Sequence, residues 1–407
     1  MNDSVDFDIL VVGGGMIGSA AALGLSRQGW RVGLVEGQGR DSLVAGMRPA
    51  AAVDDFEPRV SALSLASQKL LAQLGVWDKV QKSRHCPYQN MTVWDGDGTG
   101  RVHFEAAELQ AESLGTIVEN RVVVKALFEE VLESPVRLID GVKVTGWWQD
   151  VHARGVRLDD GRSLGASLVI AADGPKSRLR QWAGLPTREW DYDQQAIVCT
   201  VKTSQSHRWT AWQRFSQTGP LAFLPLVNEQ GDTHFCSIVW SQDTAEARRL
   251  MTLDDATFAA ELERAIEREL GAVEAVSGRF AFPLQQRHAK DYVADGIALV
   301  GDAAHSIHPL AGQGANLGYA DVRVLLDELA RSKSTGLSPA DSMVLARYQR
   351  RRKGENLAMM AAMEGFKQLF GRDELPARWL RNTGLRWFDR LGPVKHRIAA
   401  QAMGVDR

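Results

Sequence analysis

A glycine-rich hexapeptide, set between a short apolar run and a run of small residues, is the feature that most constrains the fold of this chain. The run FDILVV at residues 7–12 is typical of a buried parallel strand, and GSAAALGL at residues 18–25 is typical of the start of a helix. The hexapeptide GGGMIG lies between them at residues 13–18. Strand, glycine turn and helix in this order predict a Rossmann-like domain whose helix N-terminus binds a phosphate.

The spacing of the glycines gives each of them a role. In such a turn Gly13 permits the tight bend, Gly15 lets the backbone approach a pyrophosphate, and Gly18 allows the helix to pack closely on the strand. The run RVGLV at residues 31–35 predicts the next strand, and Glu36 follows it at the distance where an acidic side chain binds a ribose hydroxyl. A lone G-x-G-x-x-G occurs by chance in loops. With its strand, helix and acid it predicts a dinucleotide site, without distinguishing FAD from NAD.

Length and composition exclude several classes of protein. A chain of 407 residues exceeds one typical hydrophobic core, so we expect two domains. A formal net charge of -2 provides no basic field for nucleic acid. The widely spaced Cys86, Cys199 and Cys236 predict neither a disulfide framework, nor a zinc cluster, nor a redox thiol pair. The early first strand leaves no room for a signal peptide, and no apolar stretch reaches about 18 residues. We expect a cytoplasmic protein.

Between the two ends of the chain, the patterns predict a mixture of strands and helices. We expect a long loop at 41–57, a helix at 64–74, and strands near 91–94 and 102–104, followed by a helix at 121–133. The segments 141–148 and 155–158 suggest a hairpin closed by the Asp-Asp-Gly turn at 159–161. Strand patterns continue at 167–171 and through 196–240, an amphipathic helix is predicted at 254–270, and a last parallel strand at 296–300.

Three further motifs give the chain a specific resemblance. These are RVSAL at residues 59–63, ADG at 172–174 followed by Ser177 and Arg180, and GDAAHSIHPLAGQGANLG at 301–318. Together with GGGMIG they resemble the single-component flavin-dependent aromatic hydroxylases, and most of all the hydroxylase family of ubiquinone biosynthesis. The resemblance covers essentially the whole chain, since it includes LGVWD at 74–78 and VEN at 118–120. GGGMIG and the segment at 301–316 then look like two halves of one FAD site.

The resemblance implies an α/β fold in which a Rossmann-like FAD-binding domain carries an inserted mixed β-sheet substrate domain and is followed by a C-terminal helical region. On this basis we expect a discontinuous FAD-binding domain at 1–75, 106–185 and 286–335. The substrate domain would comprise 76–105 and 186–285, and the helical region 336–407.

Carried onto this sequence, the family pattern also implies which residues contact the cofactor. Asp302 would bind the ribityl chain, and backbone at Gly314, Ala315 and Asn316 would face the isoalloxazine edge, at the start of a helix that begins within 311–315 and continues through Leu329. The other FAD contacts implied are Gly13, Gly15, Gly18, Glu36, Arg59, Asn120, Asp173 and Gly174.

Some of these implied positions carry a specific reservation or role. Asn120 stands where the family often has Arg or Gln. Asp173 and Gly174 match a motif associated with FAD and with the reduced nicotinamide nucleotide, although Asp173 could instead cap the helix that follows it. Pro309 and Gly314 would flank the reactive face.

The activity implied is a ring hydroxylation. In such an enzyme NAD(P)H would reduce bound FAD as a transient reductant, O2 would add at flavin C4a, and the hydroperoxide would transfer oxygen to an electron-rich phenol. The expected substrate is a polyprenylated phenol; CSIVWS at 236–241 and QAMG at 401–404 favour C5 hydroxylation of 2-polyprenylphenol over the later-acting 2-polyprenyl-benzoquinol hydroxylase. Two alternatives stay open. One is a hydroxylase of a soluble phenol, which would need no prenyl tail, and the other is a noncatalytic flavoprotein scaffold, which NAD(P)H would not reduce.

Two other features have competing interpretations. His305 and His308 with Asp302 could suggest a metal site, but Pro309 and the neighbouring glycines argue against a rigid ligand face, and we expect no metal. The C-terminal residues 376–407 are rich in Arg and can place Trp379, Trp387 and Phe388 on one helical face. Such a helix could hold the protein peripherally at the inner membrane surface or on a biosynthetic complex. Ordinary packing against the second domain is the favoured alternative.

Overall fold

A computed structural model describes residues 6–96, 98–150, 153–306 and 314–371 of the chain. Within these residues the strands, in chain order, are β1 (Phe7–Val12), β2 (Val32–Glu36), β3 (Val60–Leu63), β4 (Cys86–Tyr88), β5 (Asn90–Asp95), β6 (Arg101–Glu105), β7 (Gly115–Glu119), β8 (Arg137–Asp140), β9 (Val144–Gln149), β10 (Arg154–Leu158), β11 (Ser163–Ala171), β12 (Thr187–Thr203), β13 (Thr210–Ser216), β14 (Gly219–Leu226), β15 (Phe235–Asp243), β16 (Val273–Val276), β17 (Phe280–Ala289), β18 (Val293–Ala294), β19 (Ile297–Leu299) and β20 (His305–Ser306). The helices are α1 (Met16–Arg27), α2 (Arg40–Val44), α3 (Leu65–Gln73), α4 (Trp77–Gln81), α5 (Asn120–Glu133), α6 (Arg178–Trp182), α7 (Thr244–Met251), α8 (Asp255–Ala265), α9 (Gly314–Ser334) and α10 (Ser342–Gly371).

The first sheet is the parallel core of the nucleotide-binding fold. Its strands β19, β11, β1, β2 and β8 lie side by side and are all parallel, with β18 antiparallel at one edge. The central strands β19, β11, β1 and β2 are largely apolar and buried because helices cover both faces, whereas the edge strand β8 carries Arg137 and Asp140. Helices α1, α5, α9 and α10 contribute buried residues to the same core as β1 and β11. The strands predicted at 7–12, 31–35, 167–171 and 296–300 are confirmed. Their ends agree within one residue, except that β11 begins four residues before the predicted start at 167.

The second sheet is larger and mostly antiparallel. Its order is β20, β17, β12, β15, β14, β13, β5, β6, with only β13 and β5 parallel among these neighbours. One face packs Ile197, Ile238 and Trp240 against α7 and α8. The other face packs Ala222 and Leu224 against the segment that carries Val53 and Phe56. The second sheet therefore has one helix-covered face and one face turned toward the residues that precede β3.

A small third sheet, β3, β7 and β4, joins these two regions. Buried Arg84 strengthens the junction: its guanidinium donates to Glu119 at 2.9 Å and to the carbonyl oxygens of Arg48 and Asp55 at 2.6 and 3.2 Å. The segment predicted as a loop at 41–57 is thereby tied down, and it contains part of α2 and a single 3₁₀ turn.

Two local predictions were wrong. The turn at 159–161 joins β10 to β11, whereas β9 and β10, which form the predicted hairpin, are connected through residues 150–153. The helix predicted at 254–270 ends at Ala265, and Glu267 and Arg268 adopt positive φ angles.

The division into domains stays a prediction. Strand β17 of the second sheet crosses the expected boundary after residue 285, and β20 of the same sheet lies within the segment expected to bind FAD. In the described part of the chain, no helix is long and apolar enough to cross a membrane.

Candidate functional site

The first glycine turn follows β1. At Gly13 and Gly18 of this turn, neighbouring backbone atoms leave no room for a side chain. Gly13 has φ +105°, and a Cβ added there would lie 2.3 Å from the carbonyl oxygen of Ala172. A Cβ added to Gly18 would lie 1.8 Å from the carbonyl oxygen of Gly13. Gly15 is different, because no atom of the described residues lies within 4 Å of an added Cβ. Two glycines therefore allow the backbone to pack, and Gly15 leaves open space above the turn.

Helix α1 begins at this open space with its N–H groups available. Its N-cap is Gly15, and within the described residues no side chain caps it and no acidic residue occupies its first turn. The first N–H groups of a helix have no partner inside the helix, and the helix dipole adds partial positive charge there. This end of α1 therefore fits the diphosphate of a dinucleotide such as FAD.

Glu36 lies beside the same turn, at the end of β2. Its Oε2 accepts a hydrogen bond from the N–H of Gly14 at 2.6 Å, and its Oε1 accepts one from the N–H of Gln38 at 2.8 Å. The structure thus places Glu36 next to the turn with its carboxylate held by backbone donors. Its ribose contact stays a prediction.

The second glycine segment packs directly on the first. Gly301 has φ +58°, and a Cβ added there would lie 3.2 Å from a side-chain carbon of Ile17, which belongs to GGGMIG. At Gly318 of α9 the corresponding distance to Ile17 is 2.7 Å. The two glycine-rich segments, almost 300 residues apart in sequence, are therefore in contact at Ile17.

Asp302 follows Gly301 and has an unusual setting for a carboxylate. Its side chain is exposed, yet the surrounding protein desolvates it and raises its pKa, while His305 and Arg59 act in the opposite direction. Arg59 is also exposed, and its guanidinium carbon lies 5.8 Å from the centre of the Phe282 ring in the second sheet. Arg59 thus lies where the Asp302 turn and the second sheet approach each other.

Asn120 and Asn316 are held by hydrogen bonds to the strand that follows Arg59. The N–H of Asn120 donates to the carbonyl oxygen of Arg59 at 2.9 Å, and Asn120 Oδ1 accepts from the Ser61 hydroxyl at 2.6 Å. Asn316 Nδ2 donates to the carbonyl oxygen of Ala62 at 2.8 Å, and its Oδ1 accepts from the N–H of Ser64 at 3.0 Å. The first turn of α9, with Gly314 and Ala315, is thereby fixed next to β3. Pro309 lies outside the described residues.

Asp173 caps the helix that follows it, which is the local role considered as an alternative to a cofactor contact. Its Oδ2 accepts from the N–H groups of Arg178 and Leu179, at 2.9 and 3.3 Å, in the first turn of α6. Its Oδ1 is buried and has no hydrogen-bond partner among the described residues. The next residue, Gly174, has φ +83° and open space at its Cβ position. The capping contact is therefore present, while the cofactor role of both residues stays a prediction.

Three residues important to the site had no role in the sequence-based prediction. Buried Arg180 donates to the carbonyl oxygen of Ala303 at 2.8 Å and so ties the ADG motif to the second glycine turn. Buried Asp321 binds the N–H of Gly301 at 3.0 Å and, together with Arg352 at 2.7 Å, forms an ion pair behind that turn. The available signal for Asp321 was an acid within the buried face of a helix that also carries Val322 and Leu325.

Only one histidine of the predicted pair lies within the residues that the structure describes. His305 Nε2 lies 2.6 Å from Asp321 Oδ2, so this histidine belongs to the buried ion-pair network. His308 lies outside the described residues. Among the residues that the structure does describe, no group of three or more His, Cys, Asp or Glu side chains could hold a metal ion.

Comparison with known proteins agrees with this geometry. Residues 6–362 match the FAD binding domain family. The chain is 39% identical over 404 residues to the 3-demethoxyubiquinol 3-hydroxylase of Escherichia coli, covering 98% of each chain. It is 35% identical to the ubiquinone hydroxylase UbiL of Rhodospirillum rubrum, covering 98% of this chain and 89% of that one.

Solved structures support the fold. PqsL from Pseudomonas aeruginosa is 24% identical with a TM-score of 0.75, over 93% of this chain and 99% of its own. The p-nitrophenol 4-monooxygenase PnpA from Pseudomonas putida is 20% identical with a TM-score of 0.78, over 98% of each chain. The aromatic-hydroxylase-like α/β fold and the FAD cofactor predicted from sequence are confirmed. The chain belongs to the FAD-dependent monooxygenases, within the hydroxylase family of ubiquinone biosynthesis.

Proposed function

We propose that this protein hydroxylates the aromatic ring of a polyprenylated precursor of ubiquinone, using NAD(P)H and O2, and that 3-demethoxyubiquinol is its first candidate substrate. The observation that carries this choice is the match to the E. coli 3-demethoxyubiquinol 3-hydroxylase along 98% of both chains. Because the match spans nearly the whole of both chains, it includes the second sheet. We expect this sheet to help select the substrate.

Bound FAD supplies the redox chemistry, since it accepts reducing equivalents from NAD(P)H and activates O2. The residues of the chain bind and orient it. The uncapped start of α1 takes the diphosphate, Glu36 takes a ribose hydroxyl, and Asp302 takes the ribityl chain. The start of α9, at Gly314 to Asn316, directs a helix dipole at the flavin and stabilises negative charge there. Arg59 adds a positive charge between the Asp302 turn and the second sheet.

The second sheet offers the expected substrate an exposed aromatic side chain. Phe282 is exposed and lies next to Arg59, and strand register places Ala196 beside Phe282. On the same sheet, Ala222 and Leu224 are buried against the segment that carries Val53 and Phe56. The exposed Phe282 ring suits contact with an aromatic ring or an isoprenoid chain, because apolar contacts exclude water from the reacting ring. The protein then acts mainly by positioning the ring and stabilising flavin charge.

C5 hydroxylation of 2-polyprenylphenol is the second candidate. The observation that favours it is the string CSIVWS, which forms the central part of β15. The other string, QAMG at 401–404, lies outside the described residues. Both candidates use the same flavin chemistry and differ in the ring substituents that the second sheet must accept.

Product analysis tests the proposal. The purified, FAD-loaded protein is incubated with NADH or NADPH and ¹⁸O2, together with short-chain analogues of 3-demethoxyubiquinol or 2-polyprenylphenol, or with a soluble phenol lacking a tail. We expect one ¹⁸O atom in the hydroxylated demethoxyubiquinol analogue. Preferential conversion of the 2-polyprenylphenol analogue would support the second candidate instead. Equal conversion of the tailless phenol would overturn the prenylated substrate, and flavin never reduced with any substrate would indicate a scaffold.

The peripheral membrane association is part of this proposal and rests on the basic, aromatic sequence at 376–407, outside the described residues. Flotation with anionic liposomes compares the full chain with one stopped before Pro376. Membrane contact predicts that the full chain floats and the shortened chain stays in the dense fraction, whereas packing of this segment against the second domain predicts that neither chain floats. Equal behaviour of both chains would overturn the membrane contact.

A further inference from the structure

Behind the second glycine turn, one buried carboxylate contacts three different parts of the chain. Asp321 Oδ2 accepts from the N–H of Gly301 at 3.0 Å and lies 2.6 Å from His305 Nε2. Asp321 Oδ1 accepts from Arg352 Nε at 2.7 Å. Gly301 immediately precedes Asp302, His305 begins β20, and Arg352 lies in α10. Asp321 therefore connects the turn that precedes Asp302 with the C-terminal helix.

The network continues from Arg352 into the second sheet. Arg352 donates to Asn356 Oδ1 at 2.7 Å, and Asn356 Nδ2 donates to the Tyr292 hydroxyl at 3.0 Å. The Tyr292 hydroxyl lies 2.9 Å from His288 Nε2, in β17. All of these side chains are buried. The network thus links α9, α10, the Gly301 turn and the second sheet through hydrogen bonds.

Electrostatics fix the charge at the centre of the network. Burial alone would raise the pKa of Asp321, but His305 and Arg352 outweigh burial and hold its pKa below the ordinary value. A buried carboxylate is stable only when its oxygens are paired, so removal of one partner affects the others. The carboxylate that accepts from the Gly301 N–H is therefore itself held in place by Arg352 and His305.

A second acid in α9, Glu328, forms a similar ion pair with α10 but does not contact the Gly301 turn. Glu328 is 1% exposed and accepts from Arg347 Nε and Arg351 Nη1, both in α10 and both at 2.9 Å. Glu328 and Asp321 therefore share the same two helices, similar burial and arginine partners. They differ in that Asp321 also contacts Gly301 and His305.

We propose that Asp321 is a positioning residue of the FAD site, and that Arg352 makes α10 part of that site. Asp321 holds the backbone at Gly301 in position and so determines the direction of the Asp302 side chain, while Arg352 holds the Asp321 carboxylate in position. Because coupling between two sites is reciprocal, FAD binding then stabilises the contact of α10 with α9. The inference rests on FAD binding and is independent of which phenol the enzyme hydroxylates.

The test compares Asp321→Asn with Glu328→Gln, each a neutral replacement of similar size. FAD affinity of the full-length apoprotein is measured by quenching of flavin fluorescence. We expect the dissociation constant to rise at least about tenfold for Asp321→Asn, and to stay within about twofold of wild type for Glu328→Gln. The visible absorption bands of bound flavin should shift only in Asp321→Asn. Equal affinity losses in both variants, or none in Asp321→Asn, would overturn the proposal.

Hydrogen exchange provides a second measurement that does not involve activity. FAD should slow amide exchange in the first half of α10 in wild type and in Glu328→Gln, and should not do so in Asp321→Asn. If Asp321→Asn does not fold, Arg352→Lys takes its place, because lysine keeps the charge but loses the second donor to Asn356. Weakened FAD binding in Arg352→Lys supports the proposal; unchanged FAD binding and unchanged exchange coupling contradict it.

Discussion

The glycine turn at residues 13–18 and the turn at Gly301 meet at Ile17, and they are held in place by different forces. In the first turn, backbone approaches backbone: the Gly18 position lies against the carbonyl of Gly13, and the Gly13 position against that of Ala172. In the second turn, side chains from distant parts of the chain bind the backbone. Asp321 accepts from Gly301, and Arg180 donates to Ala303.

This difference has a consequence for how each turn responds to mutation. A close contact between two backbone segments is lost when a side-chain atom is added at the point of contact, because the short distances leave no space for it. A turn held by side chains fails when those side chains are shortened or change charge, even though they lie far away in sequence. The first turn should thus be sensitive at its own glycines, and the second at residues outside its motif.

The largest effect is expected for Gly18→Ala. Helix propensity alone favours this change by up to about 1 kcal/mol, but the new Cβ would overlap the carbonyl oxygen of Gly13. We expect the free energy of unfolding to fall by about 4 kcal/mol, measured by urea denaturation. Gly24→Ala in the same helix is the control, since its Cβ meets only the movable end of Leu326. A loss in Gly24→Ala as large as that in Gly18→Ala would show that backbone packing is not the cause.

Acid should weaken the network behind the second turn. Burial, assisted by nearby His305, Lys353 and Arg188, lowers the pKa of His288 from 6.5 to about 4. Between these values the unfolded chain binds a proton that the folded chain does not, so stability falls as the pH drops from 6.5 to 4. We expect this histidine alone to account for a loss of about 3 kcal/mol. Urea denaturation across that range should show a correspondingly smaller loss in His288→Gln.

His207 provides a matched comparison in the second sheet. It is buried, its Nε2 lies 3.0 Å from the carbonyl oxygen of Leu226, and burial lowers its pKa to about 4. His207→Gln should therefore flatten the pH dependence of stability by a similar amount. A pH dependence in His288→Gln identical to that of wild type would mean that His288 takes up its proton in the folded state, and that acid does not act through this network.

The same contrast explains what the sequence could predict. The strand at 7–12, the need for glycine at Gly18 and the position of Glu36 beside the turn were predictable because they depend on neighbours within about 25 residues. The contact of Gly13 with Ala172 was not. The pairing of Asp321 with Arg352 was not, because an acid in a helix and one arginine among several carry no signal of contact across 31 positions. The Asp-Asp-Gly turn shows an intermediate case. It was correctly identified as a turn, but a turn signal does not state which two strands it joins.

Shortening Asn316 should have a smaller effect than acid. Its amide makes three hydrogen bonds, to Ala62, Ser64 and Ser67, between the first turn of α9 and residues about 250 positions away. Asn316→Ala removes all three hydrogen bonds, so we expect a stability loss of about 2 kcal/mol. Gln68→Ala, which loses one hydrogen bond to the carbonyl oxygen of Leu63, is the control and should cost less. Equal losses in chemical denaturation would show that the start of α9 does not depend on the Asn316 side chain.

The smallest effect on the fold, and the most specific test of the first turn, is expected for Gly15→Ala. Gly15 has φ −68°, which alanine adopts freely, and nothing in the described part of the chain lies within 4 Å of the new Cβ. Apoprotein stability should therefore stay within about 0.5 kcal/mol of wild type. The methyl group would nevertheless occupy the space through which the backbone approaches the diphosphate. We expect FAD affinity to fall about tenfold, equivalent to about 1.4 kcal/mol, in fluorescence titrations. Unchanged affinity would show that the diphosphate does not lie above Gly15; the first turn would then be a packing element, and the Gly301 turn with its side-chain supports would have to provide more of the binding.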